Sequence, residues 1–158
     1  MFEGYFADPA STAVVQRNMW MHTGDLGRFD EDGNLYFVDR LKDAIRRRGE
    51  NISSVEVELT VLKHPAVMEV VAHAVPSEFS EDDVKLCVIV SPDENLAVEE
   101  LMDFCVKNLP FFAVPRYVEF LDDLPRTLVG RPQKNVLRER GVTPQTWDRE
   151  AAGYKVTR

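Results

Sequence analysis

Two stretches of this 158-residue chain place polar side chains at spacings that could do chemistry. The first is Thr23-Gly24-Asp25, a small hydroxyl, a residue free to take unusual backbone angles and a carboxylate in succession. Such a group suits the fixing of a polyol or a nucleotide sugar. An aspartate turn that satisfies its own backbone uses the same three residues, so the string alone does not decide between them. The second stretch, Arg40 to Arg48, holds five basic residues and one acidic one. A phosphate-facing patch and a solvated hairpin face account for it equally well.

The elements that must position these groups can be read from periodicity and turn chemistry. Phe29 to Val38 reads as a hairpin, with Asp30-Glu31-Asp32-Gly33-Asn34 as its turn and Leu35 to Val38 as a strand. The charged joint Asp39-Arg40-Leu41-Lys42-Asp43 interrupts the apolar run, and a second turn follows at Arg48-Gly49-Glu50-Asn51 between Ala44-Ile45 and Ile52. Ser53 with Glu56 three residues on makes a capping box. It opens a helix to about Leu62, with Val55, Leu59 and Leu62 expected on one face, ending before Pro65.

Val67 to Val75 and Val84 to Val90 read as adjacent strands of a buried sheet. Val98, Leu101, Met102, Cys105 and Leu109 form one helix stripe. Tyr117 to Leu121 reads as a third strand, Asp122 to Pro132 as a loop, and Gln133 to Arg140 as a last helix stopped by Gly141. A short helical piece is expected around Ser11 to Gln16. For residues 142–158, anchoring through Trp147 and Tyr154 and a frayed tail both remain open. The expected class is α/β (α+β): a small domain with a roughly three-stranded sheet flanked by helices, preceded by a β-hairpin segment.

Composition narrows the function. With 44% hydrophobic and 29% charged residues the chain is of ordinary globular make-up. Nineteen basic residues against 27 acidic ones give a net charge of -8, which argues against a general nucleic-acid binder. No apolar run approaches the roughly 20 residues of a membrane span, and a cytoplasmic protein is expected. Cys87 and Cys105 lie among apolar neighbours without a CxxC, and read as core thiols rather than a disulfide or zinc site. His22, His64 and His73 lack the spacing of a triad or metal site; His22 could line a ligand pocket, and the other two read as a surface and a sheet position.

The order Thr23-Gly24-Asp25, then Asp39-Arg40-Leu41-Lys42-Asp43, then Gly49-Glu50-Asn51 with Ser54 and Glu56-Val57-Glu58 resembles the C-terminal signature of the adenylate-forming enzymes. These are the acyl-CoA synthetases, the luciferases and the adenylation domains of peptide synthetases. Met1 to Phe6, Pro9, Thr12 and Trp20-Met21-His22 resemble the segment before that signature; Pro115-Arg116-Tyr117 and Leu124-Pro125-Arg126-Thr127 resemble the final motifs. The run Thr143 to Glu150 resembles the carnitine or crotonobetaine-CoA ligase-like branch.

The resemblance implies that residues 1–40 are the tail of an N-terminal AMP-binding domain, 41–141 the C-terminal lid domain and 142–158 a C-terminal tail. It implies a partner in that N-terminal domain, a small-molecule carboxylic acid as substrate, ATP/AMP at the site, coenzyme A as co-substrate, and Mg²⁺ bound mainly by the N-terminal domain. Asp25 would hold the ribose hydroxyls, Thr23 would belong to the nucleotide site with it, Arg40 would reach the nucleotide, Lys42 would be the hinge, and Gly49 and Glu50 would lie near the pantetheine arm. The isolated chain is then expected to be inactive. A carrier-loading domain, a fatty-acyl-AMP ligase and a non-catalytic nucleotide-binding module are the rival readings.

One departure matters. The family's last motif runs close to P-x-T-x-x-G-K, with the lysine acting in adenylation; here Gly130 is followed by Arg131, and Lys134 comes three residues later. Arginine keeps the charge but is a planar fork with a different reach. Arg131 acting in the lysine's place, Lys134 acting after a loop shift, and a catalytically weak site stay open on sequence. At the hinge, Lys42→Pro in the full-length protein is expected to lock one orientation, because proline fixes φ. Adenylate formation should survive and thioester formation collapse; equal loss of both half-reactions, or of neither, removes Lys42 from the hinge role.

Overall fold

The computed structural model describes residues 2–78 and 81–156. The chain divides after Lys42 into two compact units.

In the first unit, helix α1 (Pro9–Val15) starts where Asp8 accepts the Ser11 N–H at 2.9 Å and Pro9 supplies a ready-made φ. The short strands β1 (Gln16–Arg17) and β2 (Trp20–Met21) pair antiparallel. Strands β3 (Asp25–Phe29) and β4 (Leu35–Arg40) form the expected hairpin. Its turn is tied by Asp30, whose Oδ1 accepts the N–H groups of Asn34 at 2.8 Å and Asp32 at 3.1 Å. These bonds, led by the one from the Asn34 side chain, hold the Asp30 carboxyl below its ordinary pKa. The expected charged break at Asp39 does not end the strand: Asp39 and Arg40 continue the ladder opposite Leu26 and Asp25.

The second unit opens with a second hairpin, β5 (Ile45–Arg47) and β6 (Glu50–Ile52). Its two-residue turn has φ of 54° at Arg48 and 80° at Gly49, the left-handed pair that matches strand twist. Helix α2 (Ser54–Val61) is capped as expected, Ser53 Oγ accepting the Glu56 N–H at 3.2 Å. Strands β7 (Val67–Pro76) and β8 (Asp82–Val90) are antiparallel neighbours. Helix α3 (Val98–Asn108) then carries the chain across to β9 (Tyr117–Phe120), parallel to β8, as a parallel pair requires a crossover. Helix α4 (Lys134–Arg140) and strand β10 (Trp147–Asp148) complete the unit, with sheet order β10-β9-β8-β7.

The sheet separates two cores. Val70, Ala72, Val84, Leu86, Val88 and Val118 pack in one cluster with Val57 and Val61 of α2 and Leu101, Met102 and Cys105 of α3. Val71, Cys87 and Ile89 pack in the other with Leu124 and with Leu137 of α4. The α3 stripe is therefore core, as its spacing indicated. The α2 face is not: Leu59 and Leu62 are exposed, and Ser54, Val57 and Val61 face inward. Apolar residues occur on several sides of this short helix, so pattern alone did not select the buried one.

The sheet also has a fourth strand where three were expected. β10 joins β9, and Tyr154 meets Trp147 edge-on at 6.1 Å between ring centroids while its hydroxyl bonds Asp103. Residues 142–156 are thus packed on the body of the unit, Arg149 donating to the Pro115 carbonyl at 3.2 Å. His64, expected at the surface, is buried: Nδ1 accepts the Ala66 N–H at 3.2 Å and the ring meets Phe104 edge-on.

Charged residues are buried with their partners. Asp83 joins Arg47 and Arg116, each at 3.0 Å, and Arg47 also donates to the Val114 carbonyl at 2.7 Å. Lys85 and Glu119 form a fully buried pair on β8 and β9, completed by the Gly141 carbonyl and Thr146 Oγ for Lys85 and by Thr143 Oγ for Glu119. Both cysteines are buried and free, and burial pushes their thiols up to about 11 for Cys87 and about 12 for Cys105, making them inert.

His73 is fully buried beside Cys87, its Nε2 3.7 Å from the Sγ. Burial, with the charges of Lys85, Arg138 and Lys134 nearby, lowers its pKa to about 4 against the pull of the Ala74 carbonyl. The unfolded chain takes up this proton near pH 6.5 and the folded chain resists until about pH 4. Stability from this group is therefore complete above pH 6.5 and is lost as the pH falls toward 4, by about 3 kcal/mol. Urea unfolding at pH 7 and pH 4.5 should show that loss, and His73→Leu should flatten it; an unchanged slope in the variant would assign the pH dependence elsewhere.

Candidate functional site

In the first unit the antiparallel register places Asp25 directly opposite Arg40, and their side chains meet at 2.8 Å from Oδ1 to Nε. Thr23 Oγ accepts the Asp25 N–H at 3.2 Å, and Gly24, at φ 75°, gives its carbonyl to the Leu41 N–H at 2.8 Å. The Thr23-Gly24-Asp25 turn is therefore fixed against the end of β4. Among the described residues Asp25 Oδ2 has no protein partner, leaving an acceptor for a hydroxyl pair. Beside this turn lies an open cleft of about 1140 Å³, lined by Tyr5, Val14, Thr23, Gly24, Arg40 and Lys42 among others. Apolar side chains from α1 face a polar rim, a surface suited to a flat ring with a polyol attached. Lys42 lines the same cleft and is the last residue of its unit. His22 is exposed and absent from the cleft's lining.

In the second unit Gly49 and Glu50 lie at the tip of the β5–β6 hairpin, both exposed. A side chain at Gly49 would meet nothing within 4 Å, so glycine is needed there for its φ of +80° rather than for local room. The turn is held by Glu81, whose carboxylate accepts both the Arg48 and Gly49 N–H groups, the latter at 3.1 Å. Arg48 lies over the Phe111 ring at 5.5 Å.

The segment after β9 is a built hairpin. Thr127 N–H donates to the Arg131 carbonyl at 2.8 Å, Gly130 N–H to the Thr127 carbonyl at 2.9 Å, and Gln133 N–H to the Pro125 carbonyl at 2.8 Å. Thr127 Oγ accepts the Arg131 N–H at 3.1 Å. Leu128 and Val129 stand at its tip in solvent, and the Arg131 side chain is exposed with no ion pair or hydrogen bond among the described residues. Lys134 differs. Its Nζ is 2.7 Å from Ser54 Oγ and 2.7 Å from Glu58 Oε1, tying α4 to α2.

Three residues to which the sequence assigned no role of their own shape these sites: Glu81, which holds the Arg48-Gly49 turn; Glu58, read only as part of a motif, which engages Lys134; and Arg126, likewise, which bonds within and beneath the Arg131 hairpin. Their side-chain partners are 14 or more residues away in sequence apart from Gly130 and Asp123, so no local spacing marks them. Among the described residues no group of three or more His, Cys, Asp or Glu could hold a metal. No described helix is long and apolar enough to cross a membrane.

Residues 56–131 match the AMP-binding enzyme C-terminal domain. The chain is 40% identical over 132 residues to a crotonobetaine/carnitine–CoA ligase of Escherichia coli, covering 83% of this chain and 26% of that protein. It superposes on ATP-bound MatB of Rhodopseudomonas palustris with a TM-score of 0.79 and 33% identity, covering 89% of this chain and 28% of the other. The o-succinylbenzoate CoA synthetase of Bacillus subtilis, in complex with its acyl-adenylate intermediate, matches at a TM-score of 0.78 and 32% identity over 86% of this chain and 28% of its own. The chain spans about a quarter of the length of the curated relatives it matches.

Arg131 and Lys134 should separate in stability. Lys134→Ala strands Glu58 in a half-buried position and should cost about 1–3 kcal/mol in urea unfolding. Arg131→Ala, which removes no contact, should stay within about 0.5 kcal/mol of the parent. Equal losses would mean that Arg131 is also structural.

Proposed function

We propose, for a chain that belongs to the adenylate-forming acyl-CoA synthetases as their C-terminal domain, that it serves ATP-dependent thioester formation by the full-length protein. A carboxylate oxygen attacks the α-phosphorus of ATP, the bond to the bridging oxygen breaks, and pyrophosphate leaves. The sulfur of coenzyme A then attacks the acyl carbon, the carbon–oxygen bond to phosphate breaks, and AMP leaves. Asp25 accepts from the ribose hydroxyls, held in place by Arg40 and by the Thr23 turn. Arg131 offsets the negative charge gathering on the α-phosphate oxygens in the first step. Lys42 absorbs the backbone rotation between the steps, and the Gly49 turn with Glu50 faces the incoming pantetheine arm. Mg²⁺ supplies charge neutralisation at the phosphates when bound and is assigned to the N-terminal domain.

The observation that carries the assignment of Arg131 is the contrast between the two cations. Lys134 is engaged by Ser54 and Glu58, whereas the Arg131 side chain has no partner among the described residues and stands on a hydrogen-bonded hairpin. A fork of five donors on such a support suits an oxyanion. The acid pocket of these enzymes lies in the N-terminal domain, and similarity to crotonobetaine/carnitine–CoA ligases supports a carnitine-like acid as the first of the small and medium carboxylic acids to try.

The test is product analysis by mass spectrometry on the full-length protein with ATP, Mg²⁺, coenzyme A and a panel of acids. A thioester is expected. An acyl-adenylate that accumulates without thioester would favour a carrier-loading or AMP-ligase enzyme, and no pyrophosphate with any acid would favour a non-catalytic module. In the same protein Arg131→Ala should slow pyrophosphate exchange by about 100-fold. Full activity in that variant would end Arg131's role.

A further inference from the structure

A charge placed to meet a transition state is useful only if its support is rigid, and the hairpin under Arg131 has one support that its own backbone bonds do not supply. Arg126 donates from Nη2 to Glu69 Oε1 on β7 at 2.7 Å, from Nε to Asp123 Oδ1 at 3.3 Å, and from Nη1 to the Gly130 carbonyl at 3.3 Å. The Gly130 carbonyl belongs to the peptide plane that also carries the Arg131 N–H. One planar guanidinium therefore ties that plane to the start of the loop and to the central sheet.

We infer that Arg126 is a positioning residue for adenylation, acting through the Gly130–Arg131 peptide to hold the Arg131 guanidinium at its working angle. The inference rests on the reading of Arg131 given above. It concerns orientation rather than folding, for two reasons. The hairpin's base is closed without Arg126, by the Gln133 N–H on the Pro125 carbonyl and by buried Leu124 and Leu137 on either side. The Arg126 and Glu69 side chains are 30% and 35% exposed, and a pair so open to solvent adds little to stability. What the fork adds is geometry: it is the link recorded between the peptide before Arg131 and β7. Lysine cannot reproduce it, because a single ammonium does not span three acceptors at these directions.

The experiment separates the half-reactions in the full-length protein. Pyrophosphate exchange reports adenylation; thioester release from chemically synthesised acyl-adenylate and coenzyme A reports the second step. Arg126→Gln should lower the kcat of exchange about tenfold with the KM for ATP within about twofold. It should leave the second step and the urea midpoint near the parent's, and Arg126→Lys should recover less than half of the loss. In an Arg131→Ala background Arg126→Gln should cost nothing further, because the group it orients is gone. Equal loss in both half-reactions, a rise in KM alone, or full recovery by lysine would overturn the positioning role. If Arg131→Ala itself leaves exchange intact, the reading of Arg131 fails first; if it abolishes exchange while Arg126→Gln does not reduce it, only the present inference fails.

Discussion

The second unit is arranged around an ammonium group that has no access to water. Lys85 is 1% exposed in the middle of β8, and a charge there is tolerable only if every donor finds an acceptor. Glu119 on the parallel neighbour supplies one, the Gly141 carbonyl another and Thr146 Oγ a third. Two of these lie beyond β9, so satisfying Lys85 requires the chain to return after α4 and lay residues 141–146 against the sheet. That return fixes the C-terminal end of α4. The N-terminal end is fixed independently by Lys134 on Ser54 and Glu58. With both ends held, the hairpin that precedes α4 presents Arg131 from a rigid base.

Much of this was legible in the sequence where the governing interaction is local. The Asp30 to Asn34 turn, the Ser53 cap and the α3 stripe are each decided within about eleven residues and formed where expected, while the turn expected over Arg48 to Asn51 narrowed to Arg48-Gly49, Glu50 and Asn51 joining β6. What remained hidden depends on partners distant in sequence. The inward face of α2 is chosen by the sheet it meets, since its apolar residues lie on more than one side. Strand β10 exists because β9 has a free edge for two residues to join. His64 is buried by α3 and Phe104, which nothing around position 64 announces.

The candidate site was legible by residue type but not by role. The Asp25 and Arg40 positions were found 15 residues apart, and only the strand register brings them into contact. Arg131 and Lys134 stayed alternatives as sequence, because both are cations three residues apart, one at the end of the loop and one at the start of α4. The ranking comes from Glu58, 76 positions before Lys134, which claims one of the two. A carboxylate with a structural duty thus narrows where the chemistry can be.

The two margins of the sheet are closed in different ways. Along β7, the outward N–H of Ala72 is taken at 2.8 Å by the Glu58 carboxylate, a side chain standing where a further strand's carbonyl would dock. At the opposite margin, β10 offers only two residues of ladder before Glu150 and its turn leave the plane. An open sheet with this much valine would otherwise be a template for lateral growth between copies. A side-chain plug on one margin and a two-residue stub on the other shorten the run of unpaired backbone on each. The same carboxylate that restrains Lys134 thus also occupies an outward donor on the β7 margin.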